Sequence, residues 1–129
     1  MHLAALKGHA GIVEILCKNG ANVNLHDEEG YTALILATYS EVQYPKVVEI
    51  LLEHNAKPDI QNNEGNTALI RAARMGHIDD VKSLCAAHAD PTLSNLRKKT
   101  ALDVAKAANQ DAIVKILEEY ARQFKPAKK

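Results

Sequence analysis

Tryptophan is absent from the 129 residues, phenylalanine occurs once and tyrosine four times, so the chain holds few of the large rings that dominate most cores and interfaces. No run of about 18 apolar residues is long enough to span a bilayer. No charged segment followed by an apolar stretch reads as a secretory signal. An intracellular location, cytoplasmic or nuclear, is the resulting expectation. Net charge is lacking too, with 16 basic and 16 acidic residues, so no overall basic excess points to nucleic acid. Apolar residues nevertheless make up 47% of the chain, enough for a core that needs neither disulfides nor metals.

The charges that are present lie unevenly. Residues 27–59 carry seven acids (Asp27, Glu28, Glu29, Glu41, Glu49, Glu53, Asp59) against Lys46 and Lys57, a net of minus five. Residues 94–129 carry nine bases against four acids, a net of plus five. Such polarity bears on the choice and approach of a partner more than on fold.

Self-similarity decides the architecture. DEEGYTALILA (27–37), NNEGNTALIRA (62–72) and NLRKKTALDVA (95–105) align without gaps, and MHLAA joins the same register. Leu69 and Leu102 are 33 residues apart, whereas Leu34 and Leu69 are 35 apart. The two added residues fall in ATYSEVQYPKVVEI (37–50), where the Gly-His turn of AALKGHAGIVEI and AARMGHIDDVKS is lost. Thr32, Thr67 and Thr100 stand where a helix needs an N-cap. Ala37, Ala72, Ala73 and Ala105 are small enough for inner helices to approach closely. Ile12, Val13, Ile15 and Leu16, then Val47, Val48, Ile50, Leu51 and Leu52, then Ile113, Val114, Ile116 and Leu117 recur at helical spacing and predict a continuous core. Gly20, Asn55 and His88 share one position, expected to be a left-handed helix end.

A period of 33, a D/N-x-x-G-x-T-A-L opening, an Ala-Ala helix, Gly-His, IVEIL and NGANVN together resemble the ankyrin repeat. The resemblance covers Met1 to about Glu119 in four repeats, with expected limits of about 1–26, 27–61, 62–94 and 95–124 and a basic tail at 125–129, all in one domain. It implies an all-α solenoid of stacked helix-turn-helix units with projecting β-turn fingers, and a role in binding other proteins. The family's T-P-L-H is T-A-L-I or T-A-L-D here, so its Thr–His hydrogen bond is missing from three repeats. The last helix, running on through EEYARQF, offers Glu118, Glu119, Arg122 and Gln123 to a face that no repeat covers. Met1 replaces the Leu of the first motif, leaving repeat one without its finger. A monomer is expected, with a fragment of a longer array as the explanation of that loss.

Enzyme chemistry finds no support in the motifs. No nucleophile elbow, phosphate loop or dinucleotide fingerprint is present, and the adjacent Asp79 and Asp80 do not face each other on a helix. The chain is read as a non-enzyme without metal or cofactor. Cys17 and Cys85 hold the same position two repeats apart, on the order of 20 Å, so both are expected to be free buried thiols. His9 and His77 belong to the turn, and the other histidines lack the spacing of a zinc site.

The family resemblance implies that finger tips and the exposed side of the first helices touch the partner. By register these are Leu6 and Lys7, then Glu28, Glu29, Tyr31, Tyr39 and Ser40 in repeat two. Repeat three supplies Asn63, Glu64, Asn66, Arg74 and Met75, and repeat four Leu96, Arg97, Lys99 and Ala107. Tyr31, Tyr39 and Tyr44 concentrate in repeat two beside Glu28, Glu29 and Glu41. Tyrosine is a frequent interface anchor, so this repeat predicts a partner segment with an apolar or aromatic anchor flanked by Lys or Arg. Tyr44, beside Pro45, either joins that surface or packs the longer turn. The alternative is a nucleic-acid or chromatin-associated regulator that uses Arg97, Lys98, Lys99, Lys106 and the tail. No aromatic lies among those charges for base stacking, which favours a protein partner.

Overall fold

The computed structural model describes residues 1–39 and 42–124. Among them stand eight helices in four successive pairs, without a strand: α1 (His2–Leu6) with α2 (Ala10–Lys18), α3 (Ala33–Ala37) with α4 (Pro45–Glu53), α5 (Ala68–Met75) with α6 (Ile78–Ala86), and α7 (Ala101–Ala107) with α8 (Asp111–Gln123). The first helices stack as one row, α1 on α3 on α5 on α7, and the second helices as another, α2 on α4 on α6 on α8.

Local chemistry starts the inner helices of repeats two to four, while α1 has no side-chain cap. The hydroxyls of Thr32, Thr67 and Thr100 accept from the N–H groups of Ile35, Ile70 and Asp103 at 3.3, 3.1 and 3.3 Å. In repeat four Asp103 answers by accepting the Thr100 N–H at 3.0 Å, a reciprocal bond where the family motif would use histidine. That bond, before the nearby Lys99 and Lys106, holds the Asp103 carboxyl below its ordinary range. Ala33, Ala68 and Ala101, together with Ala37, Ala72, Ala73 and Ala105, are buried along the inner row, where any larger side chain would push the helices apart.

The second helices of repeats one to three end as their register predicts, whereas α8 runs on to an extended Phe124. Gly20, Asn55 and His88 take φ values of 83°, 70° and 67°, and the next N–H reaches back to the carbonyl of Leu16, Leu51 or Leu84 at 3.0–3.1 Å. The expected continuous core holds from repeat two onward. In repeat one Val13 is buried but Ile12 and Ile15 are 50% and 61% exposed, because no described helix covers the side that buries Val47 and Ile50 one repeat later. Both cysteines are free; Cys17 is buried, while Cys85 is only partly so, since it borders an outer groove between α6 and α8 with Ile116 and Tyr120. Burial pushes the Cys85 thiol up to about 11. At the far end Glu119 accepts from Arg122 and Gln123 on the exposed face, and the Tyr120 hydroxyl donates to the Ala89 carbonyl at 2.6 Å.

The fingers are closed by one side chain each. Asp27 Oδ1 accepts from the N–H of Glu29 and Tyr31, both at 2.9 Å. Asn62 does the same for Glu64 and Asn66, and Asn95 for Arg97 and Lys99. Successive fingers are joined by bonds from Asn63 N–H to the Glu29 carbonyl, 2.9 Å, and from Leu96 N–H to the Glu64 carbonyl, 3.0 Å. Each finger passes through a left-handed residue, Gly30, Gly65 or Lys98. A Cβ at Gly65 would lie 2.8 Å from Asn95 Cα and Leu96 N, so the next finger demands glycine. Lys98, at φ 62° in the fourth repeat's finger, meets no following finger among the described residues but keeps the strain.

One polar pair interrupts the outer core. Asp80 stands in the register of Val47 and Ile113, is fully buried, and lies 3.3 Å from Nδ1 of the buried His77, one helical turn away. Burial first, and the Asp79 charge second, push Asp80 up to about 7 from 3.8.

Two outcomes follow from these packings. Gly65→Ala should cost about 2–3 kcal/mol, from left-handed strain plus collision, whereas Lys98→Gly should be neutral or gain up to about 1 kcal/mol; urea melts of both variants check the pair. For Asp80, the folded chain keeps a proton between about pH 4 and 7 that the unfolded chain has released, so this contribution is full below that window and gone above it. The melting temperature of wild type relative to D80N should therefore be higher at about pH 5 than at about pH 7.5, and an unchanging difference would refute a proton held on Asp80.

Candidate protein-binding surface

Register sorts the exposed side chains into columns that the fold leaves open. Glu29, Glu64 and Arg97 follow one another on the fingers, as do Tyr31, Asn66 and Lys99; Tyr39, just past α3, Arg74 on α5 and Ala107 on α7 follow one another at the ends of the inner helices. Finger closure uses the Asp27, Asn62 and Asn95 side chains and the backbone, so these columns accept glutamate, tyrosine, asparagine or lysine with equal ease.

Repeat two gathers the aromatics. The rings of Tyr31 and Tyr39 meet edge to face, with centroids 5.7 Å apart and planes at 89°. The Arg71 guanidinium sits 4.2 Å from the Tyr39 centroid and holds that ring from the side of repeat three. Tyr39 keeps 42% of its surface exposed, while Tyr31 is half-buried. Burial, then the Tyr39 hydroxyl, then the Glu64 and Glu29 charges raise the Tyr31 hydroxyl above its ordinary range. Glu28 and Glu29 lie exposed on the finger beside them, and the Asn63 amide donates to the Glu28 carbonyl at 3.1 Å.

Tyr44 is placed elsewhere. It occupies the N-cap of α4, the position that His9, His77 and Gln110 hold in α2, α6 and α8, and Pro45 begins the helix where a missing N–H costs little. Its ring lies over the turn of repeat one, where a Cβ on Gly8 would fall 2.3 Å away. Gln110 covers Gly76 of repeat three in the same manner, with 2.8 Å to such a Cβ. The added residues thus leave the job of covering the preceding turn intact. Glu41 lies outside the described residues, as do residues 125–129.

The remaining expected contacts form a second group. Asn66, Arg74 and Arg97 border a shallow groove of about 260 Å³ between repeats three and four, next to one of about 410 Å³ lined by Arg74, Arg97, Lys99, Asp103, Val104 and Ala107. Asn95 Nδ2 donates to Asn66 Oδ1 at 3.0 Å across the two repeats. Met75 is half-buried at the last turn of α5, beside the Gly76 turn.

Two residues escape a reading of motifs alone. Arg71, which organises Tyr39, holds a register where Leu36 and Val104 stand in the neighbouring repeats, and Asp80 one held elsewhere by aliphatics. A charged residue in an apolar column is the signal that finds both. No helix among the described residues is long and apolar enough to cross a membrane.

Comparison with known families agrees with this geometry. A family profile described as ankyrin repeats (3 copies) matches residues 1–62, and a second, described as ankyrin repeats (many copies), matches residues 44–105. A search of curated proteins found no match. Capped inner helices, chained fingers, a 33-residue period and two family profiles that jointly span residues 1–105 lead to one conclusion: the chain belongs to the ankyrin repeat family.

Proposed function

We propose that this chain is a protein-interaction module, a scaffold, adaptor or inhibitor, that holds its partner across the inner helix row and the fingers with repeat two at the centre. Ankyrin repeats are in general protein-binding modules, which supports the class. The observation that carries the finer reading is the Tyr31–Tyr39–Arg71 cluster, an already ordered aromatic shelf with Tyr39 exposed, in a chain with four tyrosines and no tryptophan. Preorganised rings give up little rotamer freedom on binding and desolvate a large area.

The partner segment that fits the shelf brings an apolar or aromatic side chain to the open side of Tyr39, with Lys or Arg beside it for Glu28 and Glu29. Arg71 already occupies one face of Tyr39, so the incoming cation belongs to the finger acids and not to the ring. The acids steer the approach, and the ring contacts slow the departure.

Replacing Tyr31 and Tyr39 together by Ala should lower partner capture from cell lysate, and the affinity of the captured protein, about tenfold or more, while the circular-dichroism melt moves little. Tyr44→Ala should do the reverse. It uncovers Gly8 and should cost about 2 kcal/mol of stability with affinity retained. A double variant that loses stability and keeps affinity would sink the proposal.

A further inference from the structure

We infer that the groove between repeats three and four receives an acidic segment of the partner, so that a bound chain lies across the inner row with its basic part at repeat two and its carboxylates at repeat four. This rests on the reading that the partner occupies the inner row and fingers. Three cations meet at the groove: Arg74 from α5, and Arg97 and Lys99 from the last finger. All three are exposed, and none forms an ion pair among the described residues.

Two carboxylates border the same region. Asp103 is engaged, because its Oδ2 accepts the Thr100 N–H at 3.0 Å within the cap of α7. Glu64, on the preceding finger, lines the adjoining groove with Arg74 and Arg97 and leaves the cations in excess. The floor, Val104 and Ala107, is small and apolar, suited to the backbone and short side chains of an extended segment. None of the cations is needed for folding, since Arg97 replaces Glu29 and Glu64 in register, Lys99 replaces Tyr31 and Asn66, and Arg74 replaces Tyr39. Charge has changed sign along a column whose closure does not depend on it.

The geometry also sets a spacing. Repeats packed at about 8–10 Å put fingers two and four roughly 20 Å apart, a distance that an extended chain covers in about six residues. The partner therefore carries its acidic residues about six positions from its aromatic and basic ones. Opposite charges at the two ends fix the direction in which it lies.

A displayed library of random peptides about 12 residues long, roughly twice the span required, can be panned against wild type, R97E/K99E and Y31A/Y39A. Wild type should select peptides with clustered Asp or Glu about six positions from Lys, Arg and an aromatic residue. A selected peptide, synthesised with a fluorescent label, should bind R97E/K99E about tenfold or more weakly, and circular dichroism should show that this variant remains folded. Retention of the acidic cluster alone, with Y31A/Y39A indifferent, would overturn the placing of the basic part at repeat two and the six-residue spacing, and would support only the acidic segment in the groove. Selection without an acidic cluster, or acidic peptides that R97E/K99E still holds, would overturn it. So would a labelled DNA duplex that wild type retains and R97E/K99E releases while no acidic peptide is selected.

Discussion

Close stacking of the inner helices is the contact on which everything else in this molecule depends. Alanines such as Ala33, Ala68, Ala72, Ala101 and Ala105 leave almost no surface exposed, so successive helices approach to the limit set by their backbones. That approach brings each finger within hydrogen-bond reach of the next, Asn63 to Glu29 and Leu96 to Glu64. It also explains why glycine is demanded at Gly65, whereas a lysine stands at position 98, where no further finger follows among the described residues. A repeat of this kind cannot bury its apolar side alone, and stacking supplies the missing half of its core.

The same regularity separates side chains that hold the fold from side chains that are free to bind. Thr32, Thr67 and Thr100 cap helices, Asp27, Asn62 and Asn95 close fingers, and none of these is available to a partner. Between them lie columns that finger closure does not use, and there the residue types diverge: Tyr31, Asn66 and Lys99 in one, Glu29, Glu64 and Arg97 in another. Exposed variation on a rigid scaffold is where recognition is written in repeat proteins. The family class follows from the scaffold, and the proposal for the partner's chemistry rests on the columns.

Departures from register are the most informative residues. Arg71 interrupts an apolar column and lays its guanidinium over Tyr39, whose ring also meets Tyr31 edge to face. Asp80 interrupts another and places an ionisable group where repeats two and four bury aliphatics, with His77 as its neighbour. Tyr44 does the opposite: it looks like a surface aromatic in an irregular stretch, yet it fills the place that Gln110 fills two repeats later.

Period, helix pairs, caps and left-handed ends were all legible in the amino-acid sequence, because each is decided by a residue and its neighbours within a turn or two. The Thr hydroxyls, the φ of Asn55 and His88 and the first-turn place of Pro45 came out as the local chemistry requires. Which residues share a surface was not legible in the same way. Tyr31 and Tyr39 lie eight positions apart and Arg71 belongs to the next repeat, so their meeting depends on how one helix pair sits on another. The exposure of Ile12 and Ile15, the burial of Asp80 and the seat of Tyr44 on Gly8 have the same origin. Local hydrogen bonds are written in short stretches of chain, whereas burial and proximity belong to the stack, and only the tertiary structure decides what each side chain faces.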